Sequence, residues 1–179
     1  MPERVQKGQG TMRAFTFENA TKIYFGGGCV KEHLLEAVKP YGETVMLAYG
    51  GGSIKTNGIY QEVMDVLKLA GKQVIEFSGI MPNPTYSKVM EGKKVVQENQ
   101  VDLILAVGGG SVMDCSKAIS MAAATDKDVW EEYWIKKGEI DFEPVPVGVI
   151  VTVVGTGSEV NGEGVITHEE QKIKTSRNY

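Results

Sequence analysis

A glycine-rich segment at residues 107–117, VGGGSVMDCSK, has the residue types of an anion-binding loop. It follows an apolar run at 101–107 that is typical of a buried parallel strand. Glycines have no Cβ, so a ligand can approach the main chain closely at Gly109 and Gly110. Ser111 is predicted as the N-cap of a helix over about residues 112–124, whose free amide groups favour a phosphate.

This segment matches neither standard phosphate motif. Met113 stands where the dinucleotide fingerprint GxGxxG has its third glycine, and the chain contains no GxxxxGK[ST] sequence. A strand-to-helix turn in which Ser111 and Asp114 form a capping box explains the same polar residues. Both interpretations remain open on this segment alone.

A second glycine cluster favours the nucleotide interpretation. The strand predicted at 44–49 is followed by Gly50, Gly51, Gly52 and Ser53, and then by a helix over about residues 57–70. Two such loops at the carboxyl ends of parallel strands suit a long ligand with two separated anionic or polar regions. The pair of loops therefore predicts a dinucleotide site.

A third loop, GTGSEVNGEG at 155–164, follows an apolar strand predicted at 145–154. Thr152, Thr156 and Ser158 lie at or after the end of that strand. Their hydroxyl groups suit phosphate or ribose, and a mobile surface loop is the alternative.

Helices and strands are predicted to alternate along the chain. An asparagine before a proline, Asn83-Pro84, favours a helix start at Pro84. The alternation predicts an α/β fold with a doubly wound, Rossmann-like parallel sheet, followed by a β-hairpin-like stretch near the end. Besides the segments already given, helices are expected at about 29–39 and 84–98, a strand at about 73–77, and short β-like runs at 14–19 and 22–27. Residues 1–12 have the composition of a flexible extension or cloning remnant, and 13–179 of a dinucleotide-binding domain.

Composition excludes several classes of partner. The formal net charge is −4, with no long basic run, so no nucleic-acid partner is expected. No apolar segment approaches the roughly 20 residues of a membrane span, and no signal-peptide pattern opens the chain, which predicts a cytoplasmic protein with no membrane partner. Cys29 and Cys115 are expected to be reduced thiols.

Four ordered motifs resemble the N-terminal half of the iron-containing, group III alcohol dehydrogenases, which have a dehydroquinate synthase-like fold. The matching segments are YGGGSIK at 49–55, PNPTY at 82–86, VGGGSVMDCSK at 107–117 and GTGSEVNGEGVIT at 155–167. Within the family, the chain is most similar to butanol dehydrogenases and NADPH-dependent aldehyde reductases. The resemblance implies a homodimer, with an N-terminal strand contributing to the contact.

The resemblance also implies a set of cofactor-binding residues. Gly109, Gly110 and Ser111 match the loop that wraps the cofactor pyrophosphate, and Asp114 matches an aspartate near the nicotinamide-side ribose. Val153 replaces a threonine that is frequent in the family. The same comparison assigns Pro82, Thr152, Thr156 and Lys174 to the cofactor site, the last by alignment with a family lysine near the nicotinamide ribose.

The glycine loop at residues 50–53, the first along the chain and called the first loop below, favours NADP(H) over NAD(H). NAD-preferring enzymes commonly use a carboxylate to accept the adenosine ribose hydroxyl, and that carboxylate repels a 2′-phosphate. No acidic residue occurs from Ala48 to Tyr60, where Gly50 and Gly51 occupy the loop. Ser53 and Lys55 supply a hydroxyl and a cation that suit a phosphate instead.

The metal ligands of the family are not expected in this chain. Family members hold a divalent metal, often iron, with one aspartate and three histidines from a following helical domain. The chain has two histidines, His33 and His168, and no H-x-x-x-H pair. We therefore expect a fragment without the C-terminal helical domain, with iron or zinc bound only when that domain is present, and with negligible turnover on its own.

The implied reaction is hydride transfer between NADP(H) and a small primary alcohol or aldehyde, such as butanol or butanal. Two alternatives remain. One is a non-catalytic nucleotide-binding module; the other is a glycerol dehydrogenase-like or dehydroquinate synthase-like member of the same superfamily, for which YGGGS and PNPTY fit less well.

Overall fold

A computed structural model describes residues 19–178. The chain alternates between strands and helices from Cys29 to Val151 and then ends in an antiparallel hairpin. The helices are α1 (Cys29–Val38), α2 (Ser53–Thr56), α3 (Ile59–Leu69), α4 (Tyr86–Glu98) and α5 (Gly110–Ala123), with a π-helical segment at Trp130–Ile135 and a 3₁₀ turn at Ser158–Val160. The strands are β1 (Thr44–Tyr49), β2 (Gln73–Phe77), β3 (Leu103–Gly108), β4 (Val147–Val151), β5 (Glu163–His168) and β6 (Ile173–Asn178).

Strands β1 to β4 form one parallel sheet in the order β2-β1-β3-β4. The chain moves outward from β1 to β2 and then crosses back to place β3 on the other side of β1, so the direction of winding reverses between β1 and β3. In open α/β sheets this reversal leaves a crevice at the carboxyl ends of the two strands, where ligands bind. The predicted doubly wound α/β fold is confirmed.

Alternate side chains of β1 enter two separate apolar cores. Val45 and Leu47 pack with residues of α1 and α3, whereas Met46 and Ala48 pack with residues of α4 and α5. This alternation follows from the two-residue repeat of a strand. Because both faces are covered, β3 can be apolar throughout and β1 apolar after Thr44, as the sequence has them.

The hairpin β5-β6 packs on the side of α4 and α5. The Thr167 amide donates to the Pro84 carbonyl over 2.9 Å, and Ile166 is fully buried in the core beside α5. The indole of Trp130 donates to Gln171 over 2.9 Å, which ties the π-helical segment to the turn of the hairpin. The hairpin predicted at the end of the chain is confirmed.

Several predicted element boundaries are wrong. The helix expected at 57–70 is α3, which begins only after Gly58 at a φ of 85°, and the short helix α2 before it was not predicted. Helix α4 begins at Tyr86 rather than at Pro84, because the Thr85 hydroxyl, and not Asn83, caps it by accepting from the Lys88 amide over 3.2 Å. Strand β4 spans five residues instead of the expected 145–154.

The β-like run at 22–27 forms no strand, since no segment within 19–178 pairs with it. The run at 14–19 and the extension at 1–12 lie outside the described residues, apart from Asn19. Over residues 19–178, no helix combines the length and the apolar character that crossing a membrane requires.

Candidate functional site

The two glycine loops lie side by side at the point where the winding reverses. Tyr49, the last residue of β1, pairs in register with Val107 of β3. Gly50 and Gly109 therefore follow neighbouring strands at the same edge of the sheet. The structure brings together the two loops that the sequence predicted for a dinucleotide.

The glycine loop at 108–111, the second along the chain, leaves open space in front of the α5 N-terminus. Gly108 is required for packing, because a Cβ there would lie 2.5 Å from Cγ2 of Val112. At Gly110, in contrast, the nearest atom to a Cβ would be Oγ1 of Thr156, at 4.0 Å. An anion reaching this space would meet the first amide groups of a 14-residue helix, which have no partners within the helix. The loop thus fits a phosphate group.

Ser111 does not cap this helix, contrary to the sequence prediction. Helix α5 begins one residue earlier, and Gly109 occupies the N-cap position in an extended conformation. The carbonyl of Gly109 accepts from the amides of Val112 and Met113, so Ser111 lies within the first turn. Its backbone amide is therefore one of the free amides of that turn, where an anion would bind.

Asp114 supports the third loop rather than a capping box. Its carboxylate accepts from the Ser158 hydroxyl over 2.6 Å and from the Val165 amide over 3.1 Å. Lys117, one turn further along α5, lies 3.9 Å from Asp114 and donates to the carbonyl groups of Ser158, Asn161 and Glu163. Burial lowers the pKa of Lys117, and the Asp114 carboxylate opposes that effect. The two charges fix loop 156–163 against α5.

Three predicted residues from distant parts of the chain line one cavity of about 400 Å³: Asp114, Thr156 and Lys174. The ammonium of Lys174 donates to the Asn83 side chain over 2.6 Å, which joins β6 to the PNPTY segment. Ser158, Asn161, Glu163, Val165, Thr175 and Ser176 complete the lining. Thr152 is held at the end of β4, where its amide donates to the Gly108 carbonyl over 3.0 Å.

The first loop is held against the segment that follows β2. The amide of Gly79 donates to Gly50, and the amide of Ile80 donates to Tyr49. A Cβ on Gly50 would lie 3.1 Å from the carbonyl oxygen of Ile80, so a side chain there would need a small shift of that backbone, whereas a Cβ on Gly51 would meet nothing within 4 Å. Pro82 is exposed in the same segment, which connects the carboxyl end of β2 to α4.

Glu76 is a charged neighbour of this loop that the sequence argument missed. Its carboxylate accepts from the hydroxyls of Tyr49 and Tyr60, in the second case over 2.7 Å, and from the ammonium of Lys55 over 3.3 Å. The two tyrosine hydrogen bonds hold the pKa of Glu76 below its usual value. Residues 48–60 contain no acidic residue, but β2 brings the Glu76 carboxylate to Lys55 from outside that range. In the sequence, Glu76 could have been noticed as the one acidic residue in the predicted strand QVIEF.

The two histidines and Cys115 lie in packed environments. His33 stacks on Tyr24, and His168 lies against the rings of Tyr86 and Trp130. Burial raises the pKa of the Cys115 thiol to about 12. Among residues 19–178, no group of three or more histidine, cysteine, aspartate or glutamate side chains has a metal-binding arrangement. Residues 19–178 therefore do not supply a set of ligands that fits the metal of the family that the sequence resembles.

Comparison with known proteins assigns the family. Residues 20–178 match the family of the iron-containing alcohol dehydrogenases. The chain belongs to this family. A crystal structure of NADH-dependent butanol dehydrogenase A from Thermotoga maritima superposes with a TM-score of 0.88 at 40% identity, covering 94% of this chain and 42% of that one.

Curated relatives include enzymes named for either nicotinamide cofactor. The chain is 46% identical to probable NADH-dependent butanol dehydrogenase 1 of Bacillus subtilis, over 91% of this chain and 41% of the relative. It is 38% identical to the NADPH-dependent aldehyde reductase YqhD of Escherichia coli, over 88% of this chain and 40% of the relative. The chain thus spans about two-fifths of the length of these relatives.

Proposed function

We propose that this chain is the nucleotide-binding part of a dehydrogenase that interconverts small primary alcohols and aldehydes with NADP(H). The observation that carries the proposal is the position of the two glycine loops, on adjacent parallel strands at the point where the winding of the sheet reverses. The names of the relatives, which include butanol dehydrogenases and an aldehyde reductase, support the substrate class.

Each part of the edge has a role in holding the nucleotide. The amides at Gly109, Gly110 and Ser111 would bind the pyrophosphate, because helix amides and the helix dipole favour an anion. The hydroxyl groups of Thr152 and Thr156 would donate hydrogen bonds to the phosphate or ribose groups bound there. Lys174 and Asp114, which line one cavity, would adjoin the nicotinamide-side ribose. Bound NADPH supplies the hydride that reduces an aldehyde to an alcohol.

The first loop would hold the adenosine end of the nucleotide. Gly51 is exposed and unobstructed, and Ser53 and Lys55 follow it with groups that can donate to a 2′-phosphate. On this basis we propose that NADPH binds more tightly than NADH. The cation of Lys55 favours the phosphate, since the adenosine ribose of NADH has a neutral hydroxyl at that position.

No step of this proposal uses a metal held by residues 19–178, because those residues do not fit one. We propose instead that the metal of the family binds outside them. Residues 1–179 should then bind NADPH, retain no stoichiometric iron or zinc after mild chelation, and leave NADPH unoxidised in the presence of butanal. A longer protein that includes the family's helical domain should retain metal and oxidise NADPH with butanal.

Elemental analysis and the absorbance of NADPH measure both expectations. Tightly held metal and turnover in residues 1–179 would contradict the proposed division of roles. A longer protein that binds NADPH but reduces no aldehyde would favour a nucleotide-binding module without catalysis.

A further inference from the structure

Glu76 lies at the centre of a cluster that fixes the side chain of Lys55 next to the first glycine loop. Besides its contact with Glu76, the Lys55 ammonium lies 4.5 Å from the ring centroid of Tyr60 and 5.2 Å from that of Tyr49. The two aromatic faces attract the cation, and the carboxylate orients it. Three secondary-structure elements, β1, α3 and β2, thus place side chains around one lysine of α2, two residues after Ser53.

This cluster is poorly placed to serve stability alone. The side chains of Lys55 and Glu76 are 47% and 41% exposed, and ion pairs of that exposure contribute little to folding. Exposure of this degree leaves the ammonium accessible to a ligand. A lysine has three donors, and Glu76 accepts from one of them.

We propose that Glu76 sets how strongly the first loop discriminates between NADPH and NADH, by compensating the charge of Lys55. The inference rests on the proposed function, which places the adenosine end of the cofactor at this loop. A 2′-phosphate approaching Lys55 also meets the Glu76 carboxylate, which repels it and competes for the ammonium. The 2′-hydroxyl of NADH is neutral, so Glu76 opposes NADPH selectively.

The test is the substitution Glu76→Gln, since an amide keeps one oxygen to accept from one tyrosine and an NH2 group to donate to the other hydroxyl oxygen, but removes the charge. It should tighten NADPH binding by about three- to tenfold and change NADH binding by less than about twofold, and the gain should shrink at high salt. Glu76→Thr removes the same charge with a residue that suits a strand, and it should give a gain of the same sign. Glu98→Gln is the matched control, because Glu98 pairs with Lys94 on α4 over a comparable 3.7 Å.

A double-mutant cycle tests whether Glu76 acts through Lys55. Lys55→Gln should weaken NADPH binding, and Glu76→Gln added to it should give less than half of the gain seen in the parent. A full gain in the Lys55→Gln background would overturn the positioning role.

Two failures are distinguishable by titrating the parent with both nucleotides. If the parent binds neither, the proposed function fails, and this inference fails with it. If the parent binds them but both charge-removing variants leave the NADPH-to-NADH affinity ratio unchanged, or Glu98→Gln changes it equally, only the role of Glu76 is refuted.

Discussion

Replacing Gly110 by valine separates nucleotide binding from folding. A Cβ at this position would meet one atom, Oγ1 of Thr156, at 4.0 Å, and the backbone is not in a glycine-specific conformation. Valine has a somewhat better helix propensity than glycine, so the change in folding free energy should stay within about 0.5 kcal/mol. The side chain would instead fill the space in front of the first amides of α5.

The expected loss of affinity follows from those amides. A hydrogen bond to a charged group contributes about 1.5–3 kcal/mol, and each 1.4 kcal/mol is a factor of ten in affinity. Displacing a phosphate from two such amides should weaken NADPH binding by at least about 100-fold. Calorimetric titration measures the affinity, and thermal melting establishes that the variant is folded.

Gly92→Ala is the matched control, with the opposite outcome. A Cβ at Gly92 would lie 2.3 Å from Cδ1 of Ile119, inside the core between α4 and α5. Overpacking of this kind costs about 1–3 kcal/mol of stability. The folded fraction of this variant should bind NADPH with parental affinity. A folded Gly110→Val variant that retains parental affinity would refute the assignment of the α5 N-terminus to the pyrophosphate.

Three further predictions concern other residues. Gly51→Asp, at a position with room for a side chain, should weaken NADPH binding by about tenfold or more relative to NADH, because its carboxylate would repel the 2′-phosphate; equal losses for both nucleotides in parallel titrations would contradict this. Thr85→Ala removes the α4 cap and should cost about 1 kcal/mol, or about 2–4 °C in Tm, and an unchanged Tm would refute the cap. Burial raises the pKa of Cys115 to about 12, so its thiol stays protonated at pH 8, and a thiol reagent should label only the partly exposed Cys29 in the native protein. Both cysteines should be labelled after unfolding, and labelling of both in the native protein would contradict the burial of Cys115.

The parallel sheet could be predicted because its strands are short segments rich in apolar, β-branched and aromatic residues. The bounds predicted for β1 and β2 match the structure, since glycine and other turn residues flank both segments. The start of α4 was missed because Asn83 and Thr85 are both good N-caps, and local sequence does not decide between them. The run at 22–27 has strand-like residues, but strand formation depends on a partner that local sequence does not reveal.

The candidate site could be predicted where one segment contains both the strand end and the loop. The glycine loops at 50–53 and 108–111 are of this kind. Glu76 was missed because its distance along the chain from Lys55 gives no sign of their contact, which depends on the pairing of β1 with β2. The role of Asp114 was also hidden, because its partners Ser158 and Val165 lie more than forty residues away.

Titration of residues 1–179 with NADPH, with ADP-ribose as a competitor, reports directly on whether this edge of the sheet binds a dinucleotide. We expect saturable binding at one site per chain that ADP-ribose displaces and that Gly110→Val weakens by at least about 100-fold. ADP-ribose carries the pyrophosphate and both ribose rings but no nicotinamide, so its competition reports on the glycine loops. The absence of saturable binding, or binding that neither ADP-ribose nor Gly110→Val affects, would contradict the assignment of this edge of the sheet to a nicotinamide dinucleotide.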